Sequence, residues 1–461
     1  MKIIFTKIIA FLSSVMFMIA GISQSTIGYT EGTPIRAEKR NYCFDDDTIL
    51  IGGYYGGKGL AKYAKEAGID FLIDTQVTEE LLDEYYENGI GVIPADYSLP
   101  SFYYEMPDNN LQKWEDIDLH KYKTHPAIWG DDLIDEPTAE VYGKISRAVD
   151  SYQNTFSDKI PLVNLFPMYA NEEQLGEKSD IKLIQKIACL NNDMSNDSVA
   201  SYKKHISDYI NQINTDYISV DIYPYHSRVD KRGNEIKTTY ELYLRNLDIL
   251  AEACRDTNRN LWVITQAAGE TKDGKINSGS PRWCDEVCDI SQQAYACLSF
   301  GAKAIIHGEF GNKGWWDIDS HMIGSDGKPT DTYYSAQQVN FDLKSFGDVY
   351  GKYTYKSTYT MNNLRVAGLK NGSLNCTVAD EIIDIKSKNG LLIGTFDGDG
   401  KAYVITNMEE LNDEVTAFAT YKIPKGKKAV LYQQGKKTQF KSGDRVRIYL
   451  NPGEGVFLTV K

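Results

Sequence analysis

The 461-residue chain has little positive charge for its size. Its 50 Lys and Arg are outnumbered by 64 Asp and Glu, so the net charge is −14. A chain with this acidic excess is not expected to hold a polyanion by counterion release, which argues against nucleic acid as a partner. Ordinary hydrophobic and charged fractions of 42% and 25% exclude a disordered or coiled-coil chain. We therefore expect an acidic globular protein.

The motifs of several common hydrolases are missing. The chain has only six histidines and contains neither a His-Glu-x-x-His nor a Gly-x-Ser-x-Gly motif, which argues against a zinc peptidase and a serine hydrolase. Seven cysteines in so long a chain do not form a disulfide scaffold. Cys284 and Cys288 have no second close pair with which to complete a zinc site, so we expect buried thiols, no metal and no cofactor.

Long hydrophobic runs are also missing. The apolar run from Ile8 to Ala20 falls short of the roughly 20 residues that cross a bilayer. It follows a lysine-containing start and precedes small residues, the pattern of a cleaved secretory signal. We predict a signal peptide over residues 1–24, a loose leader over 25–46, and no membrane anchor after cleavage. The protein is then secreted or held at the cell surface.

Short β-rich runs alternate with helical stretches eight times over residues 47–355. The runs are Thr48 to Ile51, Phe71 to Asp74, Gly91 to Pro94, Ala127 to Ile134, Pro161 to Phe166, Ile218 to Tyr223, Leu261 to Thr265 and Ala304 to His307. Eight such units predict a (β/α)8 TIM barrel. A doubly wound open sheet is the alternative, which we disfavour because no Gly-x-Gly-x-x-Gly follows the first run.

Residues 356–461 contain strand patterns without helices between them. Turn signals such as Asp397-Gly398-Asp399-Gly400 and Asn451-Pro452-Gly453 separate the runs. This spacing predicts a small C-terminal antiparallel β-sandwich. The chain is therefore expected to be α/β in its barrel and all-β at its end.

Carboxylates close three of the predicted barrel strands. Catalytic groups of such barrels lie at the carboxyl ends of the strands, where Asp135-Glu136-Pro137, Asp221 and Glu309 are found. A partly desolvated carboxyl can donate a proton near neutral pH. The alternatives are that Glu136 and Pro137 merely begin a helix and that Asp221 is a structural acid. We predict Glu136, Asp221 and Glu309 as the catalytic candidates.

Aromatic and amide side chains at the same strand ends can bind a hydroxyl-rich ligand. Tyrosine is abundant, with 32 residues against 16 Phe. Aromatic rings suit the apolar faces of sugar rings, and an amide both donates and accepts hydrogen bonds. Two carboxylates in an aromatic-lined mouth are what glycosidic bond cleavage requires. The predicted substrate-binding residues are Tyr54, Tyr55, Asp135, Tyr223, Gln266, Trp315 and Trp316.

Several of these motifs together resemble a known group of enzymes. His125 to Gly130 leading into Asp135-Glu136-Pro137, then Asp221-Ile222-Tyr223-Pro224 and Trp262 to Gln266, resemble secreted glycoside hydrolases distantly similar to the clan of β-galactosidase- and cellulase-like barrels. The resemblance implies that Glu136 is the acid/base residue, because the fourth strand of that clan ends in Asn-Glu. The clan carries a nucleophilic Glu at the end of the seventh strand, where this chain has Gln266.

That departure leaves more than one mechanism open. A carbohydrate could be cleaved by an inverting pair of carboxylates or through a displaced nucleophile. A non-catalytic carbohydrate-binding barrel is the alternative from another functional class. A metal-assisted hydrolase that uses His226 and His307 is a third hypothesis.

Overall fold

A computed structural model describes most of the barrel and most of the C-terminal region. The described residues are 33–74, 77–95, 124–176, 196–225, 228–229, 235–236, 240–270, 281–311, 316–361, 385–409, 411 and 414–461. The predicted signal peptide, His226 and Trp315 lie outside these residues. None of the helices in the described part of the chain has the length and apolar character needed to cross a bilayer.

Eight parallel strands form one curved sheet. They are β1 (Leu50–Tyr54), β2 (Phe71–Asp74), β3 (Gly91–Pro94), β4 (Gly130–Asp135), β5 (Ile160–Leu165), β6 (Tyr217–Asp221), β7 (Asn260–Gln266) and β8 (Ala302–Gly308). Their order in the sheet is β3-β2-β1-β8-β7-β6-β5-β4. Parallel bridges from Val92 to Ile128 and from Ala95 to Asp132 bring β3 and β4 together, so the barrel is nearly closed. The predicted TIM barrel is confirmed.

Helices cover the outside of this barrel. They are α1 (Ala61–Glu66), α2 (Glu79–Asn88), α3 (Tyr142–Thr155), α4 (Asn196–Gln212), α5 (Tyr240–Thr257), α6 (Val287–Ser299), α7 (Asp331–Lys344) and α8 (Gly347–Tyr350). Short 3₁₀ helices span Ala139–Val141 and Ile318–Ser320, and a two-stranded ribbon joins Arg228–Val229 to Glu235–Ile236.

The side chains of each barrel strand divide between two apolar layers. Ile218, Val220 and Ile222 pack in the outer cluster with the helices, whereas Tyr217 packs in the inner cluster with Trp262. Successive side chains of a strand point to opposite faces, so residues that alternate with the outer set point into the barrel. Strands covered on both faces are rich in apolar residues, as parallel sheets require.

The C-terminal region is an antiparallel all-β unit, as predicted. A six-stranded sheet has the order β9-β11-β12-β17-β14-β15, and a three-stranded sheet has the order β10-β13-β16. The strands are β9 (Thr354–Met361), β10 (Ile385–Ser387), β11 (Leu391–Gly398), β12 (Gly400–Asn407), β13 (Ala417–Lys422), β14 (Ala429–Gln433), β15 (Lys436–Phe440), β16 (Arg445–Leu450) and β17 (Gly455–Val460). Strand β9 begins at Thr354, slightly before the boundary predicted at residue 356.

The six-stranded sheet is the middle layer of this region. Ile393 and Ile405 on one face pack against the three-stranded sheet. Leu392 and Val404 on the other face join the cluster that contains the barrel helices. Gly394 of β11 fits against α6 so closely that a Cβ atom there would lie 2.2 Å from the backbone oxygen of Ser299. The absence of a side chain at Gly394 is therefore what lets the sheet approach the barrel.

We predict that Gly394→Ala destabilises the protein by about 1–3 kcal/mol, because the added methyl group forces the sheet and α6 apart. Chemical unfolding measures this loss. Gly143→Ala is the matched control, since Gly143 lies in α3 and its added Cβ would meet nothing closer than 4.0 Å. That variant should be neutral or slightly more stable. Equal stability of the two variants would contradict the tight approach.

Candidate active site

Strand β4 ends in two adjacent carboxylates, Asp135 and Glu136. Glu136 has a φ of 47°, a left-handed conformation that is uncommon for a residue with a Cβ atom. Its N–H donates to the backbone oxygen of Asn164 on β5 at 2.9 Å, so the neighbouring strand holds it in place. Strained backbone of this kind clusters at functional sites. The next helical element begins only at Ala139, so Glu136 is not the first residue of a helix.

Asn164 joins the carboxylates of β4 and β6. Its Nδ2 donates to Oδ1 of Asp135 and to Oδ1 of Asp221, both at 3.0 Å. Its Oδ1 accepts from the hydroxyl of Ser219 at 2.9 Å, which fixes the orientation of the amide. Because both accept from Nδ2 of Asn164, Oδ1 of Asp135 and Oδ1 of Asp221 lie at most about 6 Å apart. This separation is short enough for paired carboxylate chemistry.

The three carboxyls hold protons more tightly than usual. Glu136 and Asp221 are half-buried, and Asp135 is exposed as a residue although protein atoms crowd its carboxyl group. Desolvation, followed by the charge of Asp135, raises the pKa of Glu136 to about 7. Desolvation and the charges of Glu136 and Asp135 raise the pKa of Asp221 well above its usual range. Desolvation also raises the pKa of Asp135, although the amide of Asn164 opposes this. The cluster therefore retains protons near neutral pH.

Asp132 adds a buried carboxyl on the same strand. Its side chain is 5% exposed, and its Oδ1 has no hydrogen-bond partner among the described residues. Desolvation and the charge of Asp135 raise its pKa well above the usual range, while a hydrogen bond with Tyr54 acts in the opposite direction. Asp132 therefore keeps its proton to a higher pH than an exposed aspartate does. Tyr54, predicted to bind substrate, is itself buried and contacts this carboxyl.

Glu309 follows strand β8 and contacts a histidine. Its Oε2 lies 2.7 Å from Nε2 of His321, and Nδ1 of His321 lies 2.6 Å from the carbonyl oxygen of Gly311. A carbonyl only accepts, so Nδ1 carries a proton. Burial alone would lower the pKa of His321, but the contact with Glu309 raises it overall. Both side chains are buried, so Glu309 is less accessible than Glu136 and Asp221.

Aromatic residues border the carboxyl cluster. The rings of Tyr223 and Trp316 meet edge to face with centroids 4.7 Å apart, and Tyr55 packs in the same way against Tyr54 at 5.7 Å. Tyr169 is 36% exposed. Desolvation raises the pKa of its hydroxyl, and the charges of Asp221 and Glu136 raise it further, so Tyr169 lies within electrostatic range of both carboxylates.

Gln266 ends strand β7 but is fully buried. Its Oε1 accepts from the N–H of Tyr225 at 2.9 Å, and its Nε2 donates to the carbonyls of Tyr225, Ala268 and Arg282 at 3.2, 3.2 and 2.8 Å. The amide thus joins the backbone after β6 to the backbone after β7. This occupies the hydrogen-bonding groups with which it could contact a ligand.

The structure brings together Asp135, Glu136, Asp221 and Tyr223, all predicted from the sequence. Asp132, Asn164, Tyr169 and His321 were not predicted. Asn164 had a detectable signal, because it is a polar residue within the otherwise apolar run from Pro161 to Phe166. Within the described ranges, no group of three or more His, Cys, Asp and Glu side chains has the arrangement of a metal site. His307, part of the metal-assisted hypothesis, is buried and contacts Asn340 at 2.9 Å.

We predict that Asp132→Asn reduces the loss of stability that accompanies rising pH. The folded state keeps a proton on Asp132 that the unfolded chain releases near its ordinary value of 3.8, so folding is increasingly disfavoured above about pH 4 until the folded pKa is passed. The variant should gain stability relative to the wild type between pH 5 and pH 7. Urea unfolding at both pH values measures this gain.

Asp326→Asn is the control for this experiment. Lys328 lowers the pKa of the exposed Asp326, so its replacement should give no gain at higher pH. The free energies of unfolding of Asp132→Asn and the wild type could instead differ by the same amount at pH 5 and pH 7. That result would show that Asp132 is ionised in the folded protein.

The architecture is shared with solved structures of glycoside hydrolases. A structure described as a glycoside hydrolase matches with a TM-score of 0.50 at 12% identity, covering 95% of this chain and 98% of that one. An α-amylase from Geobacillus thermoleovorans in complex with acarbose gives 0.42 at 8% identity, covering 92% and 99%. A family 5 glycoside hydrolase from Bacteroides vulgatus gives 0.40 at 11% identity, covering 93% of each chain.

No protein-family model and no curated protein sequence matches the chain. The likeness to the solved structures therefore concerns the fold. The chain has a distant (β/α)8 glycoside hydrolase-like fold followed by an all-β region, and the fold implied by the sequence resemblance is confirmed.

Proposed function

We propose that the protein is a glycoside hydrolase that cleaves O-glycosidic bonds of an oligo- or polysaccharide. The observation that carries this proposal is the cluster of Asp135, Glu136 and Asp221, held together by Asn164 at the carboxyl ends of three strands. Glycosidic cleavage needs one protonated carboxyl and one carboxylate on opposite sides of the bond. This cluster supplies both at neutral pH, because desolvation and mutual repulsion keep part of it protonated.

Glu136 is the general acid in this proposal. With a pKa of about 7 it is substantially protonated in neutral solution and can donate to the glycosidic oxygen as the bond breaks. Departure of the leaving group develops positive charge at the anomeric carbon. The negative charge remaining on the cluster stabilises that centre. When Glu136 gives up its carboxyl proton, the charge of Asp135 repels the carboxylate that forms. This repulsion favours reprotonation of Glu136 before the next catalytic cycle.

Asp221 is the base or nucleophile. The amide of Asn164 donates to its Oδ1, which stabilises the ionised form against the burial that opposes it. As a base it would remove a proton from water on the far side of the sugar, and as a nucleophile it would attack the anomeric carbon. A nucleophile at the end of β7 is not part of the proposal, because Gln266 stands there and its amide is bound to backbone.

The remaining predicted residues have supporting roles. Tyr55, Tyr223 and Trp316 provide aromatic surface for sugar rings, and the exposed Asp135 can accept from a sugar hydroxyl. Tyr54 and Gln266 act as positioning residues in this scheme, since the former contacts Asp132 and the latter joins two loops. Glu309 stays a reserve candidate for the second carboxylate.

Replacing Glu136 by Gln should lower kcat by about 10²–10⁴-fold, because the amide cannot donate the proton that the leaving oxygen needs. The measurement is the release of reducing ends from a polysaccharide panel, together with hydrolysis of 4-nitrophenyl glycosides. In the wild type, kcat should fall as the pH rises through about 7, since Glu136 then loses its proton.

Glu173→Gln is the matched control, because Glu173 is exposed in a turn after β5 and contributes to none of the contacts described for the cluster. It should retain wild-type activity. Unfolding experiments show whether Glu136→Gln is folded. A folded Glu136→Gln variant with undiminished turnover would remove Glu136 from the mechanism.

A non-catalytic carbohydrate-binding barrel is the second candidate function. The observation that favours it is Gln266, which replaces the carboxylate expected at the end of β7 from the resemblance. Calorimetric binding of glycans by the wild type without cleavage of any panel member would favour this alternative. Cleavage that depends on both Glu136 and Asp221 would exclude it.

Export from the cell is also part of the proposal. The apolar run from Ile8 to Ala20 after a lysine-containing start supports it. N-terminal sequencing of the protein recovered from the culture medium of an expressing bacterium should begin close to residue 25. Recovery of the chain only inside the cell, with its N-terminus intact, would contradict export.

A further inference from the structure

The charge of the chain is unevenly distributed. Residues 417–461 contain ten Lys and Arg against two Asp and Glu, whereas residues 1–416 contain 40 against 62. The net charge of −14 therefore conceals a basic segment at the end of an otherwise acidic protein. This segment forms strands β13 to β17 of the C-terminal region.

The outer face of the three-stranded sheet collects part of this positive charge. Strand β13 alternates buried Ala417, Ala419 and Tyr421 with side chains on the opposite face, and β16 does the same with Val446 and Ile448. The inner set packs against the six-stranded sheet, so the outer set faces away from both the sandwich core and the barrel. We call this surface the basic face; its residues are Lys386, Phe418, Thr420, Lys422, Arg445, Arg447 and Tyr449.

The basic face carries four cations and no carboxylate. Lys386, Lys422, Arg445 and Arg447 are all exposed, and none of them makes an ion pair with another described residue. Lys422 pairs across the strands with Arg445, and Thr420 pairs with Arg447. Like charges directly opposite each other on a sheet are destabilising, so folding alone does not explain this arrangement. A ligand that brings negative charge would relieve the repulsion.

Two aromatic rings lie beside these cations. Phe418 and Tyr449 are cross-strand partners with ring centroids 4.8 Å apart, and they are 38% and 58% exposed. The backbone of Phe418 is fixed at this point: its N–H donates to Oδ1 of Asn389 at 3.0 Å, and its carbonyl accepts from the hydroxyl of Ser387 at 2.8 Å. The two rings thus lie on a backbone that is held in place, which lowers the entropic cost of binding.

From these features we propose that the basic face binds an anionic polysaccharide whose units carry carboxylates, such as a polyuronate. Arginine forks bind carboxylates in a bidentate manner, and aromatic rings contact the apolar faces of pyranoses. Arg445 and Arg447 are two residues apart on one strand, a distance of roughly 7 Å, so they can contact successive charged units of an extended chain. The open sheet surface suits a polymer that lies across it.

Charge complementarity also selects a single flexible chain over larger polyanions. A membrane surface or a nucleic acid duplex would face much of the acidic remainder of the protein as well as the basic face, and like charges would oppose its approach. One polysaccharide chain can contact the basic face alone. The inference does not depend on catalysis by the barrel, because the basic face belongs to a separate sheet.

The test measures binding of polygalacturonate to the full-length protein by affinity electrophoresis and calorimetry, with dextran as the neutral probe. It uses wild type and Glu136→Gln side by side, so that cleavage cannot be mistaken for failure to bind. We expect both to bind polygalacturonate and neither to bind dextran. The affinity should fall as NaCl is raised from about 0.05 M to about 0.5 M.

Paired variants separate charge from ring contact. Arg445→Ala with Arg447→Ala should weaken binding about tenfold or more, and Phe418→Ala with Tyr449→Ala should weaken it to a similar extent. The charge-matched control is Lys352→Ala with Lys436→Ala, which removes two exposed lysines outside the three-stranded sheet and should change the affinity less than about twofold. Phe418→Tyr with Tyr449→Phe keeps both rings and should retain binding, which guards against loss of fold.

Three results would overturn the proposal. The first is no binding of polygalacturonate by the wild type. The second is an equal loss in the lysine control, which would mean that overall charge rather than the basic face attracts the polymer. The third is binding of vesicles of phosphatidylglycerol and phosphatidylcholine, or of a DNA oligonucleotide, at least as tightly as the polyuronate.

Discussion

The mutual repulsion of desolvated carboxyls at the carboxyl ends of β4 and β6 is the interaction on which the chemistry proposed for this barrel depends. Charged carboxylates that are close together and short of water are unstable, so they hold protons at a pH where exposed acids have lost them. Among the described residues, the main causes of the raised pKa values of Asp135, Glu136 and Asp221 include no lysine or arginine. Cationic partners would lower those pKa values and remove the acid. The neutral donors Asn164 and Ser219 hold the carboxyls in place without cancelling their charge.

Such a cluster lowers the stability of the folded chain at neutral pH, and the surrounding structure has to offset this. Glu136 adds a left-handed backbone conformation, which is held by the hydrogen bond of its N–H to β5. The amide oxygen and nitrogen of Gln266 both bind backbone groups of the loops after β6 and β7. The contact between Glu309 and His321 holds the segment after β8. Buried polar contacts thus hold the segments after β6, β7 and β8, as the precise positioning of reacting groups would require.

Much of the fold follows from patterns that the sequence displays directly. The runs of apolar residues coincide with strands because parallel strands are buried on both faces, and the alternation of Ile218, Val220 and Ile222 with polar residues identifies which side chains turn inward. The cluster itself could be predicted only in part. Strand ends indicate Glu136 and Asp221, but the role of Asn164 depends on three strands meeting in register, which no local pattern encodes. Glu309 and Gln266 also lie at strand ends. Glu309 contacts His321 and Gln266 binds loop carbonyls, and the periodicity of the sequence predicts neither set of partners.

Net charge was the least informative property of the sequence, because it averages two regions of opposite sign. The separation of negative and positive charge also bears on how one polymer could contact both the carboxyl cluster and the basic face. The negative charge of the carboxyl cluster would repel an anionic sugar, whereas the basic face favours such a sugar. A polymer engaged by both would therefore present neutral units to the barrel and charged units to the sheet. The carboxyl cluster and the basic face belong to different layers of the molecule. Salt screens the interaction between charges beyond about 10 Å. Each surface can therefore bind its own part of the polymer without changing the electrostatics of the other surface.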